Sequence, residues 1–193
     1  MASSDRQAEL ERVHAKIRRC NNCGLCQAAL HYVPGEGPAD AQVVFVGEAP
    51  GAEEDRQGRP FVGPSGSLLS DLLALAGLRR EEVFITSVLK CRPPGNRDPV
   101  SAELEACREH LDAQLAVIQP KVVCTLGRIS AGALLGTPFS ITREHGRPRR
   151  IGGRLYVPLY HPAAALHQQR LAPVLEADMR KLRDLLAKEL KAR

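Results

Sequence analysis

Apolar residues fall along this chain in two alternating patterns: short unbroken runs, and longer stretches in which they recur every three or four positions. The unbroken runs lie within residues 43–46, 83–89, 122–126 and 155–159 and are rich in valine, phenylalanine, isoleucine and leucine. A run without polar alternation predicts a strand covered on both faces, as in a parallel sheet packed between helices. The spaced stretches predict helices. Leu10, Val13 and Ile17 mark one over residues 4–19, with Ser4 as a candidate cap. Leu68, Leu69, Leu72, Leu73 and Leu75 mark another, capped by Ser65 or Ser67 and ended by Gly77. Leu104, Leu111, Leu115 and Ile118 place a third over residues 101 to about 119, and a further helix is predicted over 127–135. Leu175, Met179, Leu182, Leu185 and Leu186 mark the last, over about 173–190. Strand and helix in alternation predict an α/β chain with a mostly parallel sheet and right-handed crossovers.

Two stretches escape both patterns. Residues 51–69 are rich in glycine and proline and carry Glu53, Glu54 and Asp55, which predicts a long loop of the kind that is often functional. Phe61, between Pro60 and Val62, is presented there on stiff backbone. It suits either stacking on a flat ligand or plugging the loop onto the core. Residues 143–154 hold five arginines against one glutamate, broken by Gly146, Pro148, Gly152 and Gly153. A kinked loop is predicted, with Arg147 among the side chains able to fork onto phosphates; a solvated turn is the alternative.

The totals change the picture only modestly. A chain of 193 residues supports one core, so residues 1–193 are expected to form a single domain and a monomer. A net charge of +5 leans towards an anionic partner. No apolar run approaches the ~20 residues that span a bilayer, and the polar N-terminus lacks a signal sequence, so a soluble, cytoplasmic protein without a membrane partner is expected.

The candidate chemistry gathers at strand ends. The first run stops on Gly47-Glu48-Ala49-Pro50-Gly51, where two glycines let backbone approach a ligand and Glu48 stands at the carboxyl edge of the predicted sheet. His161 follows the last run and should share that edge. Ser87 and Lys90 end the second run. Of six cysteines, Cys20, Cys23 and Cys26 stand three apart on a turn, a spacing that serves zinc, an iron–sulfur cluster or a redox disulfide. Cys91 and Cys107 are available as a second pair, whereas Cys124 sits in a strand-like run and reads as a buried thiol.

Taken in order, Val-Gly-Glu-Ala-Pro-Gly (46–51), Gly-Arg-Pro-Phe-Val-Gly (58–63), Lys-Cys-Arg-Pro-Pro-Gly-Asn-Arg (90–97) and Tyr-His-Pro (160–162) resemble the iron–sulfur, family 4 branch of the uracil-DNA glycosylases. The resemblance runs from Cys20 to the final helix. It implies a three-layer α/β/α sandwich around a central, mostly parallel four-stranded sheet, and hydrolysis of the bond between uracil and deoxyribose in base-excision repair of DNA. It implies a 4Fe-4S cluster on Cys20, Cys23, Cys91 and Cys107, with Cys26 outside. It also implies that Phe61 stacks on the extruded base, that Gly47, Glu48 and Ala49 line its pocket, and that His161 donates to uracil O2. Glu54, helped by Asn96, is the first candidate to position water, and Glu48 the second; either is alternatively a brace for its loop. Arg92 and Arg97 are expected on phosphates, and Leu166 and Arg170, in the loop after His161, as a wedge into the gap left by the base.

One position departs from the family pattern: Ser87 stands where an asparagine is usual. An amide pairs with both uracil N3–H and O4, whereas a hydroxyl is shorter and has one proton to donate. Weaker uracil removal, a water in the gap, or a shift towards hypoxanthine or xanthine is therefore expected, with a harmless exchange as the alternative. A damaged-DNA-binding module without catalysis and an electron-transfer protein remain as competing readings.

Overall fold

The computed structural model describes residues 3–190. Its central sheet comprises β1 (Val43–Gly47), β2 (Phe84–Ser87), β3 (Val122–Leu126), β4 (Arg149–Ile151) and β5 (Arg154–Leu159), in the spatial order β2-β1-β3-β5-β4. The four apolar runs form the parallel strands, in register Val44 with Phe84, Phe45 with Cys124, and Cys124 with Val157. Alternate residues of each strand then face opposite layers. Val43, Phe45, Ile85, Cys124 and Val157 meet α3 (Pro64–Leu75) and α8 (Ala172–Glu189). Val44, Val46, Phe84 and Val123 meet α1 (Ser3–Ile17), α4 (Ser101–Ile118) and α5 (Arg128–Leu135). The predicted three-layer order is thus present, because the four parallel strands are buried on both faces.

Four expectations require correction. The sheet has five strands, not four. Gly152 and Gly153, at φ +56° and +81°, make a tight two-residue turn of the mirror-image kind that matches strand twist, so Arg149–Ile151 folds back antiparallel on β5 instead of forming a kinked loop. Secondly, residues 51–69 are not a continuous loop: α2 (Ala52–Gln57) forms within them, closed by Gly58 at φ +69°. Thirdly, α3 is capped at Gly63, with Pro64 in the first helical turn, so neither Ser65 nor Ser67 is the cap, and Ser4 similarly lies inside α1. Finally, Leu166 belongs to α7 (Pro162–His167) and Arg170 to a 3-10 turn after it, so the segment following His161 is not a loop.

One close approach anchors the 58–63 segment. A Cβ on Gly66 would lie 1.8 Å from the Phe61 carbonyl oxygen, so α3 accepts Phe61 only because residue 66 has no side chain. Gly66→Ala is expected to cost about 1–3 kcal/mol in urea denaturation, the usual range for overpacking, with no change in unfolding cooperativity.

Candidate active site

The carboxyl edge of the parallel strands opens on a cleft of about 550 Å³, lined by Glu48, Phe61, Ser87 and His161 among others. Glu48, Ser87 and His161 are set there by strand ends, and Phe61 by the segment between α2 and α3. The β1–β2 ladder extends past the strands through Val88 N to Gly47 O and Leu89 N to Glu48 O, both 3.0 Å, which fixes Glu48 at the rim. Gly47 pairs with Ser87, and a Cβ on Gly47 would lie 2.8 Å from the Phe61 ring and 3.2 Å from Ser87 Oγ. Glycine is therefore required for Phe61 to lie across the end of β1.

Phe61 combines the two roles weighed for it. It is buried in the core beside α3 and lines the cleft, and its φ of +50° is a strained, left-handed conformation for an aromatic residue. Glu54 holds that conformation. Its Oε1 accepts Val62 N–H and Gly63 N–H at 2.9 Å each, and its Oε2 accepts Gly51 N–H at 3.1 Å. Oε1 thus fastens the backbone just after Phe61, and Oε2 ties it to the start of α2.

The Glu48 carboxylate makes no side-chain hydrogen bond among the described residues. Burial pushes it above the usual carboxylate range, with Asp98 adding to the shift and Arg128 opposing it. Those two residues pair at 2.9 Å and were absent from the sequence-based site; nothing in their spacing signals proximity to Glu48.

His161 caps α7, and its Nδ1 accepts Ala163 N–H at 3.1 Å. With Nδ1 an acceptor, the neutral ring carries its proton on Nε2 and is a donor there. Burial pulls the imidazole down to about 4, against the opposing charge of Glu54, so the ring is neutral at pH 7. It stacks with Phe61 at 5.5 Å between centroids and 28° between planes.

Beneath Ser87 lies a feature the sequence hid. Lys90 is fully buried and donates at 2.7 Å to Thr86 Oγ1, Ser87 O and Gln114 Oε1, which uses all three of its protons. Gln114 and Thr86 both continue to Pro34 O, so the end of β2 is tied to α4 and to the 34–36 segment. The only signal was a lysine at the end of an apolar run.

Of the other predicted residues, Asn96 and Arg97 line the cleft, whereas Arg92, Leu166, Arg170 and Arg147 are not among its lining residues. Asn96 lines it at φ +56°, and its Oδ1 accepts Arg92 Nε at 2.7 Å. Arg97 also lines it, forked onto Glu103 at 2.9 and 2.6 Å. Leu166 is an exposed apolar side chain, and Arg170 is exposed and donates to Gln168 at 3.1 Å. Arg147 lies at a different cleft.

Cys20, Cys23, Cys26, Cys91 and Cys107 line one small apolar pocket with Leu25 and Leu89. Among the described residues no three Cys, His, Asp or Glu side chains form a single-ion site. The donor set nevertheless fits a sulfur-bridged iron group. It consists of thiols from three separate segments in apolar surroundings, and His110, which lines the pocket, has a buried Nε2 without a hydrogen-bond partner. Burial, reinforced by neighbouring thiols, pushes Cys91 up to about 12, a cost that bound iron would reverse. Cys26 instead donates to Cys23 O at 3.1 Å, and Cys124 lies fully buried in the sheet.

The carboxyl edge of the mostly parallel sheet thus brings a neutral imidazole donor, a carboxylate and a buried aromatic ring into one cleft, the arrangement of an enzyme site. Residues 34–187 match the Uracil DNA glycosylase superfamily, and the chain belongs to that family. Three similar proteins are each named type-4 uracil-DNA glycosylase. That of Sulfurisphaera tokodaii is 44% identical over 91% of this chain and 84% of its own length. That of Archaeoglobus fulgidus is 42% identical over 93% and 94%, and that of Thermotoga maritima 40% identical over 95% and 98%. No helix among the described residues is long and apolar enough to cross a membrane.

Proposed function

We propose that this protein hydrolyses the N-glycosidic bond of uracil in DNA and leaves an abasic site. The observation that carries this reading is the tautomer of His161: Nδ1 is occupied by Ala163 N–H, which leaves Nε2–H as a neutral donor in the cleft. A base inside a duplex is out of reach, so the nucleotide is turned out of the stack at a cost of a few kcal/mol and seated in the cleft. Phe61 supports the ring, and Gly47, Ala49 and Ser87 border it. As the bond breaks, negative charge grows on uracil O2, where the Nε2–H donor acts, and positive charge grows on the sugar.

The carboxylate that faces the sugar and orients water is Glu48. Glu54 is ranked behind it because its oxygens are already shared among three backbone amides. Asn96 keeps its amide N–H groups for the cleft while Arg92 occupies its oxygen. Arg92, Arg97 and Arg170 approach phosphates, Arg97 by sharing its fork with Glu103, and Leu166 fills the vacated stack. Cys20, Cys23, Cys91 and Cys107 would hold a 4Fe-4S group; hydrolysis is not a redox reaction, so what such a group would supply is a brace between the N-terminal segment and the Cys91 loop.

Excision from uracil, hypoxanthine and xanthine oligonucleotides, single- and double-stranded, tests the reading; no product from any base would reduce the protein to a binding module. Ser87→Asn is expected to raise the single-turnover rate on uracil, and equal rates for the two forms would remove Ser87 from base selection. For the cofactor, Cys20→Ala and Cys107→Ala are expected to lose the visible absorbance and iron of anaerobically purified protein. Cys26→Ala is expected to retain both.

A further inference from the structure

Three of the five arginines in residues 143–154 are committed within the protein. Arg149 pairs with Glu144 at 2.8 Å and lies over the Phe139 ring; Arg150 pairs with Glu189 at 2.7 Å. Arg154 donates to Pro120 O and Leu115 O at 3.3 Å each. Arg143 and Arg147 are exposed, and among the described residues neither has a carboxylate within ion-pair distance. Both open onto one cleft of about 520 Å³, together with His145 and Lys181.

A buried carboxylate lies behind the lining residues of this cleft. Asp178, 2% exposed, accepts His145 Nδ1 at 2.5 Å and Lys181 Nζ at 3.0 Å. Gly146, at φ +68°, passes so close that a Cβ would lie 2.4 Å from Asp178 Oδ1. One buried carboxylate therefore orients the lysine and the imidazole, while the two arginines remain in positive excess over it. The segment is also fastened to the strand that delivers His161. Gly146 N–H donates to Pro158 O at 2.7 Å, and the His145 ring lies 4.8 Å from that of Tyr160. The basic cleft and the active cleft thus share one edge of the sheet.

We propose that this cleft is a second phosphodiester site, which grips the DNA strand beyond the extruded nucleotide. The proposal rests on the glycosylase reading for its ligand, because a strand threaded to His161 must cross this edge and carries one charged phosphate per nucleotide. Guanidinium forks suit such phosphates, and a site remote from the reacting base contributes to binding without entering the chemical step.

The test compares the natural protein with Arg143→Ala/Arg147→Ala and with Lys181→Ala. Binding to labelled single strands of about five and about twenty nucleotides is followed by anisotropy across a salt series, alongside single-turnover excision of uracil. Loss of the two arginines is expected to weaken binding of the long strand tenfold or more at low salt. It should flatten the plot of log affinity against log salt by about 1.4, or 0.7 per contact. The short strand and the saturated excision rate should be unchanged. An unaltered slope and length dependence would overturn the proposal. So would competition by millimolar inorganic phosphate without any effect of the variants on DNA, which marks a free-anion site. Failure of the natural protein to excise any base would instead overturn the glycosylase reading, while the anisotropy arm would still decide whether this cleft holds DNA.

Discussion

Replacing His161 by alanine is expected to slow uracil excision by about two to three orders of magnitude, the usual loss when one preorganised donor to a developing oxyanion is removed. The ring's tautomer is set before substrate arrives, by the Ala163 amide on Nδ1, so no reorganisation is needed as charge develops on uracil O2. Its acid form is disfavoured down to about pH 4, because burial lowers the imidazole from its ordinary value. The sign is fixed by that depression: the neutral ring contributes stability above the unfolded value near 6.5, which is lost as pH falls towards 4. His161→Ala should therefore weaken the loss of stability between those pH values as well as the rate. Single-turnover excision and denaturation at pH 7 and pH 5 measure both effects. A rate within a factor of a few of the natural protein would remove His161 from the chemical step.

Replacing Glu48 by glutamine should produce a loss of about two orders of magnitude, within the range for a group that positions water or accepts its proton. Burial and Asp98 raise Glu48, and its ionised form is the useful one, so excision should rise with pH through a value above the ordinary carboxylate range. In Glu48→Gln that rise should be absent. Glu54→Gln provides the contrast. An amide has only one oxygen with which to replace two acceptor atoms serving three backbone N–H groups, so this variant should lower the melting temperature and loosen Phe61. The reverse pattern, a stable but inactive Glu54→Gln beside an active Glu48→Gln, would restore Glu54 as the water-positioning group.

The parts of the fold visible in the sequence were those governed by local periodicity. The four apolar runs became the parallel strands because burial on both faces demands uninterrupted apolar residues. The long helices over 101–118 and 172–189 followed their leucine spacing. What escaped was short and held from a distance. The helix Ala52–Gln57 has no apolar face and depends on Glu54 reaching Gly51, Val62 and Gly63. The edge strand Arg149–Ile151 is exposed throughout and exists through its pairing with β5; its Gly-Gly turn was legible, but its arginines pointed to a loop.

Sequence by itself determined the layered α/β plan, the order of the motifs and the family they resemble, because each depends on neighbours a few residues apart along the chain. Only the tertiary structure decided how Glu48 and Glu54 differ, which nitrogen of His161 carries the proton, and which arginines remain unpaired. Those properties belong to hydrogen bonds and desolvation at a place where several strand ends converge. A carboxylate's or imidazole's chemistry is set by whatever shares that space, and chain order does not record it.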